Sequence, residues 1–299
     1  MDYKEYAKYL VNSRDDIIAA YGYGSCFSHQ SGYTKDTKKS IDLIFVVDDI
    51  KKWNKNNFKL QKNDYSRYTK VMFNILPKKV LTSGTSVIYN VITGRYDVDF
   101  KYGLIEKERL IHDLYSWDHF YICGRMQKPT YVIKGNAEID GAVEYNRKSA
   151  LLVSLLMIDQ DIVITDELLE MICKLSYMGD VRTLFAENPN KVKNIVNGGK
   201  ELLMDMYLNS EYILDIKGQH LFINMDKVYS DKKYLPCHLV EYCEKIYKKR
   251  SNIPYCLEKY IKSKNIKESM IHPLKQFSVS GFGTCKKYMS EKLKKKSLK

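Results

Sequence analysis

Apolar residues near the N-terminus fall at approximate helical spacing: Tyr6, Leu10, Ile17 and Ile18 predict a helix over residues 3–20. The pattern breaks at Gly22-Tyr23-Gly24-Ser25, where glycine supplies backbone angles that other residues avoid. A polar stretch comes next. It ends in Leu43-Ile44-Phe45-Val46-Val47, a continuous apolar run of strand length and strand composition, with Asp42 at its mouth. Just past the run, Asp48 or Asp49 caps a predicted helix that passes through Trp53 towards Phe58. A strand advances about 3.3 Å per residue, which puts Asp48 roughly 20 Å from Asp42, too far for the two to share a metal.

Residues 70–81 fit either a helix or a strand ended near Pro77, and residues 83–86 read as a loop. Two β-rich runs, 87–93 and 96–105, are joined by Gly94 in a candidate hairpin. Residues 106–120 predict a helix, and Gly124 is expected to break the regular structure after it. Beyond it come a strongly apolar helix over 142–158, further helices over 166–179 and 200–212, and a short strand within 221–228. Three helices with a small strand element have the size of a winged-helix domain. The expected division is therefore residues 1–138, 139–240 and a basic C-terminal region, 241–299.

The chain has 299 residues, enough for two domains, and its 44% hydrophobic and 28% charged composition excludes a disordered or fibrous class. Its longest apolar run, 150–158, is broken by Ser154 and is far too short to span a bilayer. Asp2, Glu5, Asp15 and Asp16 stand where a secretory or transit peptide avoids acids, so a cytosolic or already processed chain is expected. The seven cysteines have no paired short spacing, which predicts free thiols rather than a zinc site or a disulfide framework.

The net charge of +13 is concentrated: residues 241–299 hold 16 lysines and arginines against 5 acids, or +11 of the total. A nucleic-acid binder should carry its charge on the recognition domain, so no nucleic-acid partner is expected. The asymmetry points instead to a tail facing an anionic surface. Within it, Cys285, Tyr288, Met289 and Leu293 recur at helical spacing, with seven lysines over residues 286–299 on or beyond the other face. That is the pattern of a short helix in an anionic membrane interface; a disordered solubilising tail is the alternative.

A Gly-Ser turn followed by a carboxylate leading a buried strand resembles the signature of the DNA polymerase β-type nucleotidyltransferases. More specific is an ordered set running through Gln30-Ser31-Gly32-Tyr33, Asp42, Val47-Asp48-Asp49, Trp53, Asn57, Tyr65-Ser66, Gly84, Val87 and Tyr89-Asn90. It continues through Lys101-Tyr102-Gly103, Asp113-Leu114, Trp117, Gly124-Arg125-Met126-Gln127-Lys128-Pro129, Gly179-Asp180-Val181-Arg182 and Lys191-Val192-Lys193-Asn194-Ile195-Val196. This set resembles the mitochondrial-type phosphatidate cytidylyltransferases over about residues 3–200. Two departures stand out. Cys26 replaces a later glycine of the turn, and Asp64 stands where a histidine usually precedes Tyr-Ser, so no role of that histidine carries over.

The resemblance implies a polymerase β-type nucleotidyltransferase domain, and with the residue patterns above the expected fold is α+β: that domain, then a mostly helical winged-helix-like domain and a basic amphipathic C-terminal tail. It implies CTP and phosphatidic acid as substrates and CDP-diacylglycerol and pyrophosphate as products. The alternatives are a nucleotidyltransferase acting on RNA or protein, and a winged-helix nucleic-acid-binding protein. Gly24 and Ser25 would grip the triphosphate, and Asp42 would hold Mg²⁺, which takes one or two carboxylates together with phosphate oxygens. Asp97 or Asp99, two apart on one strand run, would supply a further carboxylate, with Asp99 the metal ligand assigned; a solvated strand face is the rival reading. Lys101, Arg125 and Lys128 are the candidate phosphate-binding cations. Tyr65 and Ser66 fit contacts to cytosine or ribose, with a core tyrosine as the alternative. The implied place is peripheral on a membrane, at the cytoplasmic face in a bacterium or the matrix face of the mitochondrial inner membrane.

Overall fold

The computed structural model describes residues 3–31, 40–60, 67–75, 77–82, 85–92, 99–185, 188–246, 253–280 and 290. The protein is α+β. Its central sheet runs in the order β3-β4-β2-β1-β5, with β1 at Ala19–Tyr23, β2 at Ser40–Val47, β3 at Ile88–Ile92, β4 at Asp99–Glu106 and β5 at Tyr131–Lys134. β2 and β4 pair in parallel, and the other pairs are antiparallel.

The N-terminal helix is shorter than its periodicity predicts: α1 spans Tyr3–Asn12 and the chain re-enters as β1. Ala19, Ala20 and Tyr21 are all buried, as befits an inner strand covered on both faces, and such a strand has no alternation to announce it. The same cover explains the continuous run of β2. Leu43, Phe45 and Val47 face Ala7, Val11 and Trp53, from α1 and α2 (Ile50–Leu60), while Ile44 and Val46 face the helical half. Asp49 caps α2, its carboxylate accepting from the Lys52 N–H at 2.7 Å. Within 70–81 the choice falls to helix: α3 (Arg67–Ile75) lies before Pro77 and α4 (Lys78–Thr82) after it. β3 and β4 form the expected antiparallel pair; Gly94 lies outside the described residues.

After β4 come α5 (Lys107–Ser116) and α6 (Phe120–Met126). Gly124 does not break the chain, contrary to expectation. It lies inside α6, where any Cβ would collide with the Ser176 side chain, so glycine is needed there for close packing. The polar core fixes α6 from behind: Asn146, on α7 (Ala137–Ile158), accepts from Trp117 Nε1 at 2.8 Å and donates to the Cys123 carbonyl at 3.1 Å.

The helical half holds α7, α8 (Thr165–Lys174), α9 (Arg182–Phe185) and α10 (Lys191–Tyr207) beside a three-stranded sheet in the order β6-β8-β7. These strands are β6 (Ile162–Ile164), β7 (Ile213–Lys217) and β8 (His220–Ile223). The expected strand over 221–228 is thus β8 only in part, because α11 takes Met225–Ser230. Within the C-terminal region, α12 (Cys237–Ile246) and α13 (Ile253–Ser280) form, and α13 buries Cys256, Leu257, Tyr260 and Ile261 against the core. Among the described residues the cysteines are free thiols, and no helix is long and apolar enough to cross a membrane.

Candidate active site

β1 ends at Tyr23, and Gly24 turns the chain with φ of +80°, a conformation that favours glycine. Its carbonyl accepts from the Phe27 and Ser28 N–H groups at 3.1 and 2.9 Å, closing the turn around Ser25. A Cβ on Gly24 would stand 3.3 Å from Asp42 Oδ2, so the turn lies directly against that carboxylate. The helical half pins the far side of the loop. Ser31 N–H donates to the Asn194 carbonyl at 3.0 Å, and Lys191 donates to Gln30 Oε1 at 2.8 Å.

Strand register puts Tyr23, Asp42 and Lys101 in one row across β1, β2 and β4. Partners in a row share a face, so the turn's carboxylate and a buried lysine are neighbours. Lys101 is only 7% exposed, with Nζ 4.4 Å from the centre of the Tyr89 ring. The Tyr23 hydroxyl donates to that of Tyr89 at 3.3 Å. Burial first, then the Asp42 charge, pushes the Tyr23 phenol up and keeps it protonated.

α6 lays Arg125 over this row. Its guanidinium stacks on Tyr121, with Cζ 3.5 Å from the ring centre, and lies 5.4 Å from the Tyr23 ring. Nη1 donates to the Tyr121 carbonyl at 2.6 Å, while the buried Nε has no hydrogen-bond partner among the described residues. Arg182 approaches the same ring, Cζ 5.8 Å from its centre, held by a bidentate pair with buried Asp180. Burial raises the Tyr121 phenol, but Arg125, Lys101 and Arg182 outweigh it and the net direction is down.

The other sequence candidates are placed differently. Lys128 donates to the Gly124 carbonyl and to Ser176 Oγ; burial first, then Arg125 and Lys191, pulls it down to about 7. Asp99 opens β4 opposite Ser40, one alternation from the Asp42–Lys101 pair. Tyr65 and Ser66 lie outside the described residues, as do Asp97 and, apart from Ser290, residues 286–299.

Sequence reasoning missed Tyr23, Tyr89, Tyr121, Arg182 and His272. Tyr89 and Arg182 had a signal, since Tyr89-Asn90 and Asp180-Val181-Arg182 belong to the ordered motif set. His272, on α13, had none. Its Nε2 meets the Tyr121 hydroxyl at 2.9 Å, and burial first, then Lys101, Arg182, Arg125 and Lys275, holds its pKa well below the ordinary value. The imidazole is therefore neutral, and it shares one hydrogen bond with the phenol.

His112, Asp113 and Asp118 also converge closely enough to hold a metal ion. Their charges are already matched. Arg109 Nη2 lies 3.1 Å from Asp113 and 2.6 Å from Asp118, and Lys264 donates to the Asp118 carbonyl at 2.9 Å, which makes the group a structural hub between α5, α6 and α13.

The protein is thus of the α+β class, with a carboxylate under a glycine turn, in register with a buried lysine and roofed by guanidinium groups, an arrangement whose cations can receive an anion. Residues 6–234 match the family described as phosphatidate cytidylyltransferase, mitochondrial, and the chain belongs to that family. A relative of that name from Schizosaccharomyces pombe is 35% identical over 227 residues, covering 74% of this chain and 57% of the relative. The Homo sapiens relative is 32% identical over 233 residues, covering 74% and 50%, and that from Dictyostelium discoideum 36% over 201, covering 60% and 47%. The chain thus spans about half the length of the curated relatives it matches.

Proposed function

We propose that the chain transfers CMP from CTP to phosphatidic acid, giving CDP-diacylglycerol and pyrophosphate. The observation that carries this reading is the row Tyr23–Asp42–Lys101, with the Gly24 turn against Asp42 and Arg125 above it. In this reaction an acceptor phosphate oxygen bonds to the α-phosphorus of CTP as the bond to pyrophosphate breaks. A phosphate monoester is already anionic at neutral pH, so the site needs no strong base. What it must overcome is repulsion between two anions, and fixed cations do that.

Each residue has a role in this reading. The N–H groups of the Gly24-Ser25 turn hold the triphosphate. Lys101, packed against Tyr89, offers a point charge, and Arg125 offers its unpartnered Nε–H. Lys128 neighbours Arg125 on the nucleotide side, and Tyr65 and Ser66 contact the base or ribose. Asp42, a half-buried carboxylate against a tight turn, fits Mg²⁺, with Asp99 as second ligand; when bound, Mg²⁺ neutralises charge on the phosphates. Residues 1–138 act as a polymerase β-type nucleotidyltransferase domain and 139–240 as a winged-helix-like domain, the helices and β6-β8-β7 sheet supporting the latter. The relatives are mitochondrial by name, which favours a peripheral place on the matrix face of the inner membrane over the bacterial alternative. The basic tail would touch the anionic lipid.

The test is incubation with labelled CTP, Mg²⁺ and phosphatidic acid in detergent, with Asp42→Asn alongside. Labelled CDP-diacylglycerol should form with wild-type protein and vanish with Asp42→Asn, at an unchanged melting temperature. Label appearing in RNA or protein, without stimulation by phosphatidic acid, would overturn the assignment.

A further inference from the structure

Helix α13 lies beyond the span of the family match, 6–234, yet it reaches the centre of the site. Two of its residues make the contact, one turn apart. Glu268, 3% exposed, accepts a hydrogen bond from the Phe120 N–H at 2.7 Å, so it holds the first turn of α6. His272, also 3% exposed, bonds the Tyr121 hydroxyl at 2.9 Å and lies 4.3 Å, centre to centre, from the Tyr121 ring. It also meets Tyr89 edge to face, with ring centres 5.0 Å apart.

Those two tyrosines are the platforms of the site's cations. Tyr121 carries the Arg125 guanidinium on its ring and binds Nη1 through its carbonyl, and Tyr89 lies beneath Lys101 Nζ. One buried imidazole is therefore wedged between the supports of both charges. A guanidinium that must meet a phosphate oxygen with the right N–H tolerates little displacement of its platform. We propose that α13 is a wall of the active site, and that Glu268 and His272 are positioning residues that set Arg125 over the Asp42–Lys101 row. This rests on reading that row as the phosphate-handling site. Neither residue needs to touch substrate; Glu268 acts through α6, and His272 through Tyr121 on α6 and Tyr89 on β3.

A double-mutant cycle tests this with two readouts, the Kd of inorganic pyrophosphate by calorimetry and kcat for CDP-diacylglycerol formation on a short-chain, soluble phosphatidate. His272→Ala and Glu268→Leu are each expected to weaken pyrophosphate binding and lower kcat tenfold or more, while Glu268→Gln, which keeps an acceptor oxygen, stays near wild type. In an Arg125→Ala background each further loss should shrink by at least threefold, because the group being positioned is gone. Circular dichroism and melting establish that each variant is folded. If His272→Ala does not fold, His272→Phe keeps the wedge, loses the hydrogen bond and enters the same cycle. Wild-type values in folded variants, or losses coupled by less than threefold to Arg125→Ala, overturn the proposal. A coupled pyrophosphate cycle in a protein that makes no CDP-diacylglycerol would instead sink the cytidylyltransferase reading and leave the positioning role standing.

Discussion

Gly24→Ala separates backbone strain from damage to the site. Gly24 sits at φ +80°, and an alanine in the left-handed region costs roughly 1–2 kcal/mol. For a chain of this size that lowers the melting temperature by roughly 2–8 °C, at about 2–4 °C per kcal/mol. The new methyl would also stand 3.3 Å from Asp42 Oδ2. Carbon contacts relax at about 3.5–4.0 Å, so the carboxylate must retreat by a few tenths of an ångström. A misplacement of about 1 Å at a reacting centre can cost on the order of a hundredfold, and a fraction of that shift gives an expected loss of about tenfold in kcat. Gly218→Ala is the control: its φ is +62°, and nothing lies within 4 Å of its added Cβ. Both variants should melt earlier by similar amounts, and only Gly24→Ala should lose turnover, measured as CDP-diacylglycerol formed from labelled CTP. Full activity in Gly24→Ala, or an equal activity loss in both, would refute the argument that the turn shapes the Asp42 site.

Other tests turn on charge. Burial raises the Glu268 carboxyl from 4.5 to about 8, so the folded chain holds a proton there that the unfolded chain releases. Its contribution to stability is present below about pH 4.5 and is lost as pH rises to about 8; Glu268→Gln should flatten that part of the curve of melting temperature against pH. Pyrophosphate at about 100 times its Kd should stabilise the fold by ~2.7 kcal/mol, seen as a melting rise of roughly 5–10 °C that Arg125→Ala largely removes. Deleting residues 286–299 takes away seven lysines and one glutamate. At even a fraction of about 1 kcal/mol per basic residue, vesicle binding should weaken severalfold or more while activity on soluble phosphatidate stays constant; equal loss on both substrates would place the tail in the fold or the site.

Much of the site was legible because it is local in sequence. Asp42 and Lys101 sit early in strands that apolar runs reveal, the Gly24-Ser25 turn shows by its glycines, and Asp49 declared its capping role by its place after such a run. β1 was not legible, because an inner strand of Ala-Ala-Tyr-Gly-Tyr is buried on both faces and copies no period. Gly124 misled for a related reason: glycine signals a break by its backbone freedom, but here it serves close contact with Ser176. Tyr121 was hidden by number, since nothing local separates it from the rest of 25, whereas Tyr89 stood in the ordered motif set without a role assigned to it. α13 mixes apolar and basic residues, and its function depends on where the helix lands, 148 residues along the chain in the case of the Phe120–Glu268 bond.

The site's composition answers one electrostatic problem. It must keep several cations close together, away from water, before any substrate arrives. Carboxylate partners would solve this but would cancel the charge that attracts phosphate, and Arg182 takes that route, through Asp180. Arg125 rests instead on the face of Tyr121, where the ring quadrupole offsets part of the desolvation without adding a formal charge, and Lys101, beside Asp42 in the strand row, also lies over the Tyr89 ring. That arrangement works only while the phenols stay neutral, since a phenolate would pair with the cations as a carboxylate does. Tyr121 is the exposed point of the scheme, because the surrounding cations press its pKa downward. His272 shares a hydrogen bond with its hydroxyl, and burial among Lys101, Arg125 and Arg182 keeps that imidazole uncharged, so it is a poor acceptor of the phenol's proton. The same cations that need a neutral tyrosine beneath them thus help to prevent His272 from becoming one more positive charge, and in the proposed reaction the field is left for the phosphates to neutralise.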